Sequence, residues 1–321
     1  PETVSPFLMG TLNHGPWTLV GGARPEKETR SYQVLPGLNP SAFINDSPVT
    51  KDQDSLLPAF TLTRDFGRDN QFTTSIAWSR TIARPTFYEF APVITEDQAT
   101  GDIIEGNPDL KDTFINNFDL RVEWNPEPDA AVALGLFHKS MTDPIAQAYN
   151  LEKKTWVNGD EGTLQGIEFE VRKRFLEHWN ITSNFTLIDS LLQYQQQVGT
   201  SGIQTIDTTY EGQPDHIFNF IFGYDHRPSG WSANLIYNYT GSYLSGVPLT
   251  DTTPAIRPDA YHSLDFVLMK RFDLRECVGT VKLKLGNLLD GTDTERVEDS
   301  ELIYRSYKPG RSASLSFEVE F

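Results

Sequence analysis

Residues 312–321 read Ser-Ala-Ser-Leu-Ser-Phe-Glu-Val-Glu-Phe, apolar at every second position and polar between. Period-two alternation gives a β-strand with one oily face and one wet face. In a soluble sandwich the oily face meets a protein core. In a membrane barrel it meets lipid, while the polar face lines the lumen. How the pattern repeats along the rest of the chain decides between the two.

It repeats through runs at residues 4–13, 17–32, 56–66, 71–83, 113–124, 130–148, 155–175, 179–198, 212–226, 231–246, 260–272, 278–289 and 304–321. In the clearest of them Phe118, Leu120, Val122 and Trp124 interleave with Asn117, Asp119, Arg121 and Glu123, and Trp231, Ala233, Leu235, Tyr237 and Tyr239 with Ser232, Asn234 and Asn238. Several runs exceed a dozen residues, whereas strands of soluble sandwiches are commonly about five or six long. The connections also alternate. Short ones at 14–16, 67–70, 125–129, 176–178, 227–230 and 273–277 separate longer ones at 36–54, 84–112, 199–210, 247–259 and 290–301. Such alternation sorts all tight turns to one rim and all long loops to the other, as in an outer-membrane barrel. If Phe321 ends a strand at the tight-turn rim, the parity holds back to the start of the chain. The expected fold class is therefore all-β, an antiparallel transmembrane β-barrel with about thirteen strands and no helical domain.

Composition agrees with this and excludes other classes. Apolar residues make up 38% of the 321, and no apolar run approaches the ~20 residues of a membrane helix. Aromatics reach 12%, with 6 Trp, 12 Tyr and 20 Phe, a supply suited to interfacial girdles. The formal net charge of −17 repels phosphate backbones, so nucleic acid is not an expected partner. Cys277 is alone, which rules out an internal disulfide framework and a zinc knuckle. The glycosylation sequons at Asn45, Asn180, Asn184 and Asn238 are read as chance, three of them lying inside strand patterns.

No catalytic signature is present: there is no phosphate-binding Gly-rich loop, no G-x-S-x-G and no H-E-x-x-H. The 6 histidines show no ligand spacing. Asp290, Asp293, Glu295, Glu298, Asp299 and Glu301 crowd one connection without EF-hand spacing and are read as a solvated loop. No catalytic residue, metal site or cofactor is expected.

One family resemblance does emerge. Residues 79–87, Ser-Arg-Thr-Ile-Ala-Arg-Pro-Thr-Phe, followed by Pro92, resemble the T-x-x-R-P-x-F…P stretch of TonB-dependent outer-membrane receptors. Residues 106–110 (Gly-Asn-Pro-Asp-Leu) with 117–123 are similar to that family's G-N-P-x-L…N-x-D-L-x-x-E. Phe137, Lys139, Asp143 and Ile145 match its F-x-K-x-x-x-D-x-I; Gly162, Gly166, Glu168 and Glu170 match its G-x-x-x-G-x-E-x-E; and residues 287–290 match a late N-L-x-D. These marks, with Tyr307, residues 309–311 and Phe321, fall in family order over residues 20–321.

The resemblance implies a barrel of about 22 strands around an N-terminal plug, energised by the TonB complex through an N-terminal box. On that reading residues 1–321 are the C-terminal part of the barrel, with the plug, box and first strands outside them. Expected partners are outer-membrane lipid, the TonB complex through the plug region, and a small-molecule or oligosaccharide ligand such as a siderophore, vitamin or glycan. Ligand would meet the long connections, where Tyr88, Tyr210 and Tyr243 are candidate stacking residues. Arg84 and Glu89 are candidates for the lumen or gate, or for a structural ion pair. The alternative from another class is a secreted, soluble all-β carbohydrate-binding or hydrolytic protein. A porin or adhesin would share the barrel but lack the plug.

Overall fold

The computed structural model describes residues 2–32, 49–98, 101–150, 153–200, 202–274 and 277–320. Phe321 and most of the connection expected at 36–54 lie outside the described residues. The principal strands are β1 (Leu8–His14), β2 (Trp17–Tyr32), β3 (Val49–Phe66), β4 (Phe72–Ala83), β5 (Thr113–Glu127), β6 (Ala130–Thr142), β7 (Glu161–Phe175), β8 (Trp179–Val198), β9 (His216–His226), β10 (Trp231–Thr240), β11 (Tyr261–Leu274), β12 (Cys277–Gly286) and β13 (Ser312–Glu320). They form one antiparallel meander in chain order. Glu2–Val4 shares with β1 one flank of β2, and Gly202–Thr208 pairs only with the end of β8. Among the described residues no ladder joins the β1 edge to the β13 edge.

The register lays the oily positions side by side. Leu19, Leu62, Ile76, Leu120, Leu136, Ile167 and Leu187 are consecutive cross-strand partners from β2 to β8. Phe222, Leu235, Phe266 and Leu285 continue the band from β9 to β12. This band is exposed: Phe60, Phe118, Leu136, Phe169 and Leu187 are each 42–47% accessible. A continuous apolar belt of this extent is not sustainable in water, but it suits lipid.

The opposite face is polar. Asn184, Asn219, Asn238 and Ser263 face one another across four strands, with Asn219 donating to Asn184 at 2.7 Å. Arg121 makes a two-pronged contact with Glu170 at 3.1 Å through each nitrogen. This is the lumenal wall, and it carries the Gly-x-Glu-x-Glu hairpin. Gly166 on β7 is obligatory there: a Cβ would come within 2.2 Å of the Leu187 carbonyl and 2.4 Å of the Phe137 ring.

At the tight-turn rim the belt ends in aromatics. Phe66, Phe72 and Trp124 stack at 5.4 and 6.0 Å, Trp179 packs on Tyr224 at 4.9 Å, and Arg64 and Lys270 cap Trp17 and Trp231. Aromatic rings with a cationic neighbour at this level form an interfacial girdle. The strands are longer than a bilayer needs. β8 has 20 residues, about twice the 9–11 that cross a membrane at a tilt. The excess rises past the other rim.

Several expectations change. Residues 304–321 divide into Ile303–Tyr307 and β13, which belong to different sheets, and residues 4–13 divide into Glu2–Val4 and β1. Residues 130–148 do not form one strand: the chain breaks at Asp143, whose φ is +51°, and restarts as Ile145–Tyr149. Residues 155–175 likewise divide into Lys154–Asn158 and β7. The stretch 199–210, expected as loop, contains the strand Gly202–Thr208, a hairpin return on the end of β8.

Candidate functional site

Described parts of four long connections pair with one another. Those at 84–112, 143–160 and 241–260 interlace into a five-stranded sheet in the order Val247–Pro248, Ile145–Tyr149, Lys154–Asn158, Ile103–Glu105 and Ile94–Glu96. Two of its joints, Ala148 with Val247 and Lys154 with Ile104, are parallel pairings between different connections. Ile256–Pro258, Asp293–Val297 and Ile303–Tyr307 make a second, three-stranded sheet that ties 241–260 to 287–311.

Between the five-stranded sheet and the overhang of β8 lies a dry core of Ala146, Ala148, Leu192, Tyr194 and Val247. Tyr194 is 2% exposed and donates its hydroxyl to the Pro248 carbonyl at 3.0 Å. The barrel wall is one sheet thick, so the cap holds this buried cluster instead.

A cavity of about 400 Å³ opens between the two small sheets, lined by Asp102, Tyr149, Lys153, Lys154, Ile256 and Tyr304 among others. Tyr149 donates to the Pro254 carbonyl at 2.7 Å, and burial pushes its phenol well up, so it stays a neutral donor. Lys154 pairs with Asp102 at 2.7 Å, and Lys153 with Glu105. Tyr304 is half-exposed and presents a ring at the mouth. The cavity thus offers aromatic surface together with hydrogen-bonding and charged groups, a combination that holds a polar ligand by stacking and orientation. A larger recess, about 900 Å³, lies near the tight-turn rim beside Arg227, Lys270 and Arg271 and is a stretch of open wall.

The five residues singled out from sequence do not gather at one point. Arg84 pairs with Glu26 and Glu28 on β2, not with Glu89. Glu89 accepts the Thr86 backbone N–H at 2.6 Å and caps the single helical turn α1 (Phe87–Phe90). Tyr88, on the same turn, bonds Thr95 at 3.0 Å and packs edge-on against Trp156 at 5.4 Å. Tyr210 packs beneath the cap core. Burial, with the Asp293 and Glu295 carboxylates, pushes the Tyr243 phenol up.

The acidic connection at 290–301 is more than a solvated loop. Asp290 pairs with Lys308 at 2.7 Å, Glu298 with Arg257 at 2.5 Å and Glu295 with Arg305, so cross-strand charges fasten the three-stranded sheet. Among the described residues no group of three or more His, Cys, Asp or Glu is arranged to hold a metal ion. Sequence reasoning missed the cavity residues Asp102, Tyr149, Lys153, Lys154 and Tyr304. The available signal was the adjacent Lys153 and Lys154 within a strongly acidic set of connections.

Glu211 sits beside this core. Its Oε1 accepts the Gln147 N–H at 2.8 Å, and its buried Oε2 has no partner. Burial pushes its carboxyl up to about 7. A raised acid pKa means the folded cap binds the proton more tightly than the open one, so stability falls as pH rises from about 4.5 to 7. Hydrogen exchange of amides 145–149, corrected for intrinsic rates, should show protection falling across this window. Glu211→Gln should flatten the profile; an unchanged slope would assign it to another group.

Comparison with known proteins gives a consistent picture. The family model described as "TonB dependent receptor-like, beta-barrel" matches residues 2–288. No curated protein matches the chain. Among solved structures, the ferric-catecholate import receptor Fiu of K12 E. coli is 18% identical, with a TM-score of 0.69 over 98% of this chain and 44% of its own. The copper transporter OprC is 13% identical, with a TM-score of 0.71 over 98% and 47%. The siderophore receptor PiuA of Acinetobacter baumannii is 13% identical, with a TM-score of 0.67 over 98% and 42%. The chain therefore spans less than half the length of these structures, and at such identities the likeness is one of fold. The belt, girdle and polar wall, together with the family match over most of the chain, make this protein a member of the TonB-dependent receptor family, with the β-barrel domain of that family in the outer membrane.

Proposed function

We propose that this chain is the C-terminal part of the barrel of an active-transport receptor that captures a scarce nutrient at its cap and imports it with energy from the TonB complex. The observation that carries this reading is the cap itself, four connections knit into two sheets around a cavity above a polar lumen. A passive pore has no need of such a roof. The named cargoes of similar structures, a ferric catecholate and copper, support a metal or metal-chelate cargo over a glycan.

The strand count fits a partial barrel. In a meander of thirteen positions the first and last strands run the same way, so antiparallel closure needs an odd number of further strands. A barrel of about 22 leaves roughly nine, which is odd. The plug would fill the lumen and carry the contact to TonB.

Uptake tests the reading. Cells whose only such receptor is the full chain should accumulate one of four labelled cargoes: a ferric catecholate, a ferric hydroxamate, a cobalamin or an oligosaccharide. Accumulation should stop when TonB is deleted. Uptake that persists without TonB would favour a passive pore. A protein that extracts without detergent and shows no heat-dependent shift on a denaturing gel would instead be the soluble all-β alternative.

A further inference from the structure

Glu28, Arg30, Ser55, Arg84 and Asp112 bring buried polar side-chain atoms together at one place, where Ser55 Oγ and Asp112 Oδ2 have no hydrogen-bond partner and the other charges meet as ion pairs. The site is the lumenal face of β2 and β3 just below the cap. The lower end of β3 is flanked by β4, but its residues before Ala59 have no partner there. The β2–β3 hairpin therefore stands taller than its neighbour, and the connection at 84–112 lies across the bare face.

That connection is fastened at both ends. Arg84, the first residue after β4, pairs with Glu26 and Glu28. Asp112, the last before β5, pairs with Arg30, which also reaches Glu28 at 3.4 Å. Lys51, the cross-strand partner of Arg30, donates to the carbonyls of Pro108 at 2.6 Å and Leu110 at 3.3 Å. The carboxylate side chains of Glu26, Glu28 and Asp112 are only 3–5% exposed. Between its fastened ends the connection supplies Asp102 and Ile103 to the cavity.

We propose that Glu26, Glu28, Arg30, Arg84 and Asp112 are positioning residues for ligand capture: their ion pairs clamp both ends of the 84–112 connection to β2 and so place the Asp102 wall of the cavity. The proposal rests on reading the cavity as the docking surface. Ionic groups suit this task better than apolar ones. Apolar side chains of the same volume hold a loop as firmly, but they tolerate slippage; a misplaced loop here would leave a buried charge unpaired. The connection consequently seats in one register, and Arg84 acts at the base of the loop without touching ligand.

The test is hydrogen exchange of amides 101–105 in the full chain in outer-membrane vesicles, with affinity for ferric tris-catecholate measured alongside. Arg84→Gln and Asp112→Asn should each raise exchange there, and weaken the probe, by about tenfold or more, because each strands a buried charge. Heat-dependent gel mobility should not change. Arg84→Lys should restore most of both signals. The pair Arg30→Gln with Asp112→Asn should be milder than the sum of its parts, since it removes both partners. Exchange at 101–105 unchanged in both single variants would overturn the clamp, as would raised exchange with unchanged probe affinity. Should exchange respond while the parent protein binds no ferric catecholate, the clamp would be supported and the choice of cargo would fail.

Discussion

Leu235→Arg is expected to cost about 2–4 kcal/mol of barrel stability, and to prevent stable insertion of most of the chain, while Asn234→Arg on the same strand costs little. Leu235 lies at the middle of the belt, paired with Phe222 on β9 and Phe266 on β11, midway between the rim residue Trp231 and Tyr239. A guanidinium there has neither water nor a partner within reach. Asn234 is one residue away but on the wall's other, polar face, opposite Gly223 and Val267. The contrast between adjacent positions is what separates lipid from a protein interior. In a sandwich the Leu235 face would be enclosed by a second sheet, and among the described residues none covers it. The measurement is urea unfolding in lipid vesicles, read by Trp fluorescence and by the fraction of chain that resists protease. Equal tolerance of arginine at 234 and 235 would show that the belt does not face hydrocarbon.

This contrast was legible in the sequence because strand parity is local. Trp179–Val198 reads as a strand from its own residues, and its neighbours follow from the same rule. Other features were hidden for identifiable reasons. Asp143-Pro144 interrupts an alternation that continues beyond it, so the period alone reads straight through the break. Gly202–Thr208 is hidden by its Gly, Thr and Asp, although Ile203 and Ile206 were available. The cap strands are 2–5 residues long, too short for any periodic window, and are made by pairing across connections. The Arg84 clamp joins residues 58 apart, and the Arg30–Asp112 pair residues 82 apart. Nothing local in Arg-Pro-Thr-Phe announces a partner on β2. Glu89 had an obvious charge but a modest task, capping the turn it sits in. Chain-local physics thus revealed the wall, while the site depended on pairings between distant segments.

Tyr194→Ala should separate those two layers. Tyr194 fills the cap core against Ala146, Ala148, Leu192 and Val247, and its hydroxyl holds Pro248. Truncation removes a buried ring and leaves a cavity, a loss of about 3–5 kcal/mol for a large aromatic. The damage should stay local, because Tyr194 lies on the overhang of β8, well past the Leu187 level at which the belt row crosses this strand. The wall below is held by its ladders and by lipid, so heat-dependent gel mobility should survive. Amides at 145–149 and 247 should lose protection together, since Ala148 pairs with Val247 and both lean on the vacated site. Ligand capture should weaken in step, Tyr149 being at once the last residue of that strand and part of the cavity lining. Tyr194→Phe separates the two contributions, keeping the ring and losing the hydroxyl's two hydrogen bonds, the one it donates to Pro248 and the one it accepts from Gln196 at 3.1 Å, worth about 1 kcal/mol each. If Tyr194→Ala disturbs β9 and β10 as much as the cap, or leaves the 145–149 amides protected, the cap is not the independently packed layer that its buried cluster describes.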